Sequence, residues 1–199
     1  MSMDFPSLID EYENANPGES VEYKDDSGSW QDDTDYGFGS ISSEFQRRGH
    51  ISRPELRKIG EWKYPTGRID QYLKNNNSTY VEQRSAVAFQ TSSDVEKIEA
   101  LTELRGIRVP LASVILTMFN PADYAIVDYH TFRALGAELL DLQNYPDYAE
   151  FMGYFQNYNS DPEAYSIYMD VVRDVAQQEG ILPREVDMAL WAHDKIESS

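Results

Sequence analysis

The chain has 199 residues, 41% of them hydrophobic, which is one domain's length with enough apolar content for a real core. It has no cysteine, excluding disulfides, iron–sulfur clusters, thiolate zinc sites and cysteine nucleophiles. Its 35 acidic and 17 basic residues leave a formal net charge of −18, a balance that on its face opposes nucleic acid, because phosphate needs Lys and Arg.

The first segment, residues 1–39, holds eleven acids and one base and is rich in Asp, Ser and Gly without periodicity. It reads as an acidic N-terminal arm, poorly ordered or peripheral, which Trp30, Tyr36 and Phe38 tether to the body. The opening MSMDFPSLIDEYE lacks the basic and apolar regions of a secretion signal. No apolar run approaches the roughly 18 residues of a membrane span. A cytoplasmic protein with no membrane partner is the expectation, and the sequons at Asn76 and Asn77 are read as without meaning.

Residues 40–199 read as helices, about eight in all with no strand pair, so the expected class is all-α. SSEFQRRG is a short helix stopped by Gly49. SRPELRKIGEWK starts at Ser52, with Pro54 in its first turn where a missing N–H costs little. STYVEQRSAVAF offers Val81, Ala88 and Phe89 to the core. SSDVEKIEALTELRG begins at a serine cap and ends at Gly106, with Val95, Ile98, Leu101 and Leu104 on one side. VPLASVILTMFNP is apolar nearly all round and is therefore the central helix, stopped by Asn120-Pro121. ADYAIV is extended. DYHTFRALG is a short helix with Asp128 at its start and Gly136 at its end. PDYAEFMGYFQNY, DPEAYSIYMDVVRDVAQQEG and PREVDMALWAHDK complete the bundle, the last with Leu190 and Trp191 inward.

Charge is unevenly placed along this order. Residues 40–108 hold twelve bases and nine acids, whereas residues 109–199 hold four bases and fifteen acids. A local basic surface on an acidic body follows. The bases are eleven arginines and only six lysines. Acid excess with few lysines is the pattern of proteins that work in concentrated salt, where the Debye length falls to roughly 3 Å at 1 M. A halophilic, acidic protein is the expectation.

Two helices meet at LRGIRVP, residues 104–110. Gly106 supplies the positive φ that so tight a turn requires. The unpaired N–H groups of the next helix, with Arg105 and Arg108 beside them, form an anion site suited to phosphate. By itself Gly106 reads equally well as a plain helix C-cap. Downstream stands VDYHTFR, Val127 to Arg133.

Together, in order and spacing, these stretches resemble the helix-hairpin-helix DNA glycosylase superfamily, the endonuclease III-like group. Its hairpin has the form L-P-G-V-G-x-K-T-A, followed by a helix, a loop and V-D-T-H-I-F-R. Leu104, Gly106, Ile107 and Ala112 match in the hairpin, and Val127, Asp128, His130, Phe132 and Arg133 after it. The match spans Leu104 to Leu135. The resemblance implies a helical glycosylase-like bundle in residues 40–199 that binds DNA. Gly106, Ile107, Arg108 and Val109, with Arg105, would grip phosphates through hairpin amides. In the family a monovalent cation often binds there; no other cofactor and no metal is implied. The target base is flipped into a pocket, and Asp128 stabilises the oxocarbenium-like sugar as the catalytic carboxylate. His130 would be a structural hydrogen-bonding residue, and Arg133 a partner for carboxylate or phosphate.

Departures from the pattern narrow the expectation. Arg108 stands where the hairpin's second glycine would be. Pro110 stands where bifunctional members carry their nucleophilic lysine, so a Schiff-base lyase step through that position is excluded, leaving a monofunctional glycosylase that uses water. The alternatives are a non-catalytic helix-hairpin-helix DNA-binding protein and an acidic helical module for a protein partner. Asp128 has a simpler reading as a helix N-cap worth about 1 kcal/mol. His50, His130 and His193 lack metal-ligand spacing. GEWKYPTGR mixes Trp62, Lys63, Tyr64 and Arg68 at a helix end and fits a substrate groove, with Trp62 packed inward.

Overall fold

A computed structural model describes residues 3–16, 21–24, 30–33, 38–138, 153 and 155–197. The regular elements among these residues are helices and one short hairpin of strands. In chain order the helices are α1 (Phe5–Ala15), α2 (Phe38–Arg48), α3 (Arg53–Lys63), α4 (Asp70–Leu73), α5 (Ser78–Gln90), α6 (Asp94–Thr102), α7 (Val109–Phe119), α8 (Tyr129–Glu138), α9 (Pro162–Glu179) and α10 (Pro183–Glu197). The all-α class holds. Ten helices stand among the described residues where about eight were expected. The helix expected over PDYAEFMGYFQNY lies largely outside them.

The acidic segment is more structured than its composition suggested. Phe5, Leu8 and Tyr12 recur three and four residues apart, forming one apolar face buried against α10. The Asp4 side chain caps this helix by accepting from the Ser7 amide at 3.4 Å. Val21–Lys24 and Trp30–Asp33 pair antiparallel, Val21 facing Asp33, and the first of these strands lies against α3. Four residues per strand gave too short an alternation to be read as a strand pair.

The core is built around α7. Every residue from Val109 to Met118 is buried, as a helix apolar on all sides requires. Helices α2, α3, α6 and α9 surround it. Full burial of each Val, Leu or Ile contributes about 1.5–3 kcal/mol, so this one helix anchors much of the fold. Against that frame, α10 packs on α9 and carries both α8 and α1. Local sequence signals place the surrounding helices. Ser52 and Glu55 form a reciprocal capping box at the start of α3, and Ser93 caps α6. Trp62 packs against the core. Two ends differ from expectation: α6 stops at Thr102, and α8 runs past Gly136 to Glu138.

Candidate functional site

The turn between α6 and α7 is fixed from both sides. The Ile107 N–H donates to the Leu104 carbonyl at 3.1 Å, and Gly106 between them takes φ +84°, as the third position of a type II turn does. A Cβ on Gly106 would stand 2.7 Å from the Cβ of Tyr72, so the turn also needs glycine for close approach to α4. Asn76, only 5% exposed, clamps the preceding residue. Its Oδ1 accepts from the Arg105 N–H at 2.8 Å, and its Nδ2 donates to the Arg105 and Leu73 carbonyls at 3.0 Å each. This asparagine had carried no role as part of a sequon. A buried amide that exchanges two bonds with one backbone residue is a structural clip.

Not all of the expected phosphate-gripping amides are open. The Val109 N–H donates to the Asn159 carbonyl at 3.3 Å, Pro110 has no N–H, and the Leu111 and Ala112 amides both turn to the Arg108 carbonyl. The first turn of α7 therefore has its donors engaged, and Ile107 and Val109 are buried. An anion at this turn would instead meet the Gly106 and Arg108 amides and the exposed side chains of Arg105 and Arg108.

Asp128 follows a buried extended segment whose backbone is satisfied by side chains. Tyr165 and Tyr168 hydroxyls donate to the Ala125 and Ile126 carbonyls at 3.2 and 3.0 Å. The Ile126 N–H donates to Asp187 at 2.7 Å, and the Val127 N–H to Ser113 Oγ at 3.1 Å. Burial pushes the Asp187 carboxyl up to about 7, with the Arg184 guanidinium and the Ile126 amide opposing. This lattice holds Asp128 at the start of α8. There its Oδ1 caps the helix, accepting from the Thr131 N–H at 3.1 Å, so the simple capping role is real. Its Oδ2 faces the other way and pairs with Lys63 Nζ, from the end of α3, at 2.8 Å.

The pair joins two parts of the chain 65 residues apart and keeps a route to solvent, the side chains being 13% and 18% exposed. Burial raises the Asp128 carboxyl, but the Lys63 ammonium, the Thr131 amide and the nearby His130 ring outweigh it and hold the group below its ordinary value. Asp128 is thus ionised at neutral pH. His130 and Arg133 do not point at this carboxylate. His130 Nδ1 meets Asp194 at 2.6 Å, and Arg133 grips the same Asp194 with two nitrogens at 2.6 and 2.8 Å. Asp194 lies on α10, with Asp187 seven residues before it and Leu190 between. A carboxylate recurring seven residues apart on a helical face otherwise apolar is the sequence signal for both.

A pocket of about 630 Å³ opens beside the turn. Tyr64, Arg68, Tyr72 and Arg108 form its polar and aromatic wall, and Ile107 and Leu111 are part of its floor. Asp128 does not line it. Tyr64 links the two places: burial raises its phenol, Asp128 and Tyr158 add to the rise, and Arg108 opposes it.

No protein-family model matches this chain, and no curated protein or solved structure compared with it matches either.

The chemistry open to the site follows from its parts. A carboxylate with one oxygen committed to a helix N-terminus and the other to an ammonium is a fixed negative group, able to oppose positive charge that develops beside it. Neighbouring arginines without carboxylates supply attraction for a polyanion.

Proposed function

We propose that this chain is a DNA-repair-type, helix-hairpin-helix glycosylase-like protein that hydrolyses the N-glycosidic bond of an altered base, without a lyase step. The observation that carries this reading is the Lys63–Asp128 pair, an ionised, partly solvated carboxylate at the start of α8 whose charge, like that of Arg108 on the turn, acts on Tyr64. In the reaction the bond between C1′ and the base nitrogen breaks and its electron pair leaves with the base, which takes a proton from water. A second water adds its oxygen to C1′ and gives up a proton to solvent. Asp128 lowers the barrier by opposing the positive charge that grows on the sugar. Lys63 keeps Asp128 ionised until substrate phosphate draws the ammonium away.

One observation favours the non-catalytic alternative. Lys63 already neutralises Asp128, which is what a structural ion pair in a DNA-binding scaffold would do. The two readings part on one experiment, base release from duplexes bearing deaminated, alkylated and oxidised bases by the native chain and by Asp128→Asn. Asparagine can still accept from the Thr131 amide, so the cap and the fold survive. The glycosylase reading expects release from at least one duplex and a loss of about 100-fold or more in Asp128→Asn, the scale of removing one electrostatic stabiliser. No release from any duplex, with DNA binding intact, leaves the binding protein.

A further inference from the structure

Six arginines of this acidic protein are neutralised: Arg48 by Glu55, Arg57 by Asp70, Arg84 by Glu103, Arg133 by Asp194, Arg173 by Asp94 and Arg184 by Asp187. Arg47 and Arg53 pair with no carboxylate among the described residues, Arg53 donating instead to the Asn76 carbonyl at 3.4 Å. The largest uncompensated group stands at the α6–α7 turn. Among the described residues no ion pair engages Arg68, Arg105 or Arg108, and all three are exposed. With acids in twofold excess over bases, leaving three neighbouring arginines uncompensated selects for an anion brought from outside.

Two of these arginines line the pocket beside the turn, and what stands between them is aromatic. Tyr64 and Tyr72 are 36% and 54% exposed, unusually open for such large rings, and no carboxylate lines the pocket with them. Ile107 and Leu111 give it an apolar floor. Its volume of about 630 Å³ lies within the range of about 300–1,000 Å³ typical of small-ligand pockets. Aromatic faces over an apolar floor, with guanidinium groups at the rim, suit a flat ring joined to a phosphate.

We infer that this pocket holds an unpaired nucleotide of the bound DNA, its base against Tyr64 and Tyr72 and its phosphate between Arg68 and Arg108. The occupant has to be unpaired, because in a duplex both faces of a base are already covered by its neighbours, and only a single strand offers a face to tyrosine. It is a flanking nucleotide and not the one whose bond breaks, since Asp128 does not line the pocket. The preferred DNA therefore carries a short single-stranded stretch beside duplex. This inference rests on the reading of the chain as DNA-acting but is independent of whether Asp128 does chemistry.

The test is equilibrium binding, by fluorescence anisotropy at fixed salt, of one labelled duplex in two forms: fully paired, and with a five-nucleotide 3′ or 5′ tail. The native chain is expected to bind one tailed form at least tenfold more tightly. Tyr72→Ala, which keeps the Cβ against Gly106, and Arg68→Ala, a change at an exposed side chain, are each expected to remove that preference and leave binding of the paired duplex within a factor of two or three. Loss of one base–tyrosine contact weakens binding by about fivefold or more. Equal affinity for paired and tailed DNA, or variants that weaken both forms alike, overturns the assignment while leaving duplex binding and base release untouched. Equal or tighter binding of the matching single-stranded RNA overturns the restriction to DNA. Failure to bind any DNA removes this inference and the DNA reading together.

Discussion

At the residue scale, the two oxygens of Asp128 have separate tasks, and only one of them depends on charge. Oδ1 needs merely an acceptor for the Thr131 amide, whereas Oδ2 needs Lys63. Burial alone would raise this carboxyl, and the ammonium is the foremost of the groups that reverse the sign. Lys63→Met keeps the length of the side chain and removes its charge. The Asp128 carboxyl is then expected to move upward, as read by carbon NMR titration of the side chain. The contribution to stability shrinks with it. In the native chain, the folded value lies below the unfolded one, so the pair stabilises above the unfolded carboxylate value and that contribution is lost as pH falls through the folded value. In Lys63→Met the gap between the two values narrows, so less stability is lost as pH falls over that window. An unmoved titration would show that the Thr131 amide, not Lys63, holds Asp128 ionised.

At the element scale, the turn between α6 and α7 tests how much of the fold depends on one missing side chain. Gly49 and Gly106 both have positive φ, +76° and +84°, but a Cβ on Gly49 meets nothing within 4 Å, whereas one on Gly106 meets Tyr72 at 2.7 Å. Gly49→Ala is expected to cost about 1–2 kcal/mol, the backbone penalty alone. Gly106→Ala is expected to cost at least about 1 kcal/mol more, because overpacking adds to the same penalty. Urea unfolding of the two variants measures the difference directly, and equal losses would mean that α4 yields without cost. The same turn shows why some features were legible and others were not. Ser52, Ser93, Pro54 and Gly106 act on amides within a few residues of themselves, so their spacing in sequence is their geometry. The all-apolar α7 likewise declared itself central. Asn76, Asn159, Asp187 and Asp194 act on residues far along the chain, 29 positions away for Asn76 and 61 for Asp187. No local pattern encodes such partners. Lys63 stood in a stretch already picked out as groove-like, but that it would meet Asp128 depended on α3 and α8 being brought together around α7.

At the scale of the whole molecule, a net charge of −18 sets the salt response of folding against that of binding. Repulsion among the excess acids weakens the compact state, and salt screens it as the Debye length shrinks from about 10 Å at 0.1 M to about 3 Å at 1 M. Salt also weakens the ion pairs, including Arg173–Asp94, but partly exposed pairs of this kind contribute only about 0–1 kcal/mol each. Self-repulsion is long-ranged and shared by every acid, so its relief is the larger effect. Thermal unfolding is therefore expected to shift to higher temperature as KCl rises from 0.1 to 2 M, the outcome that adaptation to concentrated salt requires. DNA binding is expected to run the opposite way. The uncompensated cations at the turn are few, so for the tailed DNA the logarithm of affinity should fall against the logarithm of salt with a slope of about −3, near 0.9 per phosphate neutralised by Arg68, Arg105 and Arg108, and for the paired duplex, which does not engage Arg68, with a slope smaller by about one. A chain stabilised by the salt that loosens its ligand must bind through more than charge. An unfolding temperature that drops with KCl would show instead that the ion pairs outweigh the repulsion, and would remove the adaptation to salt.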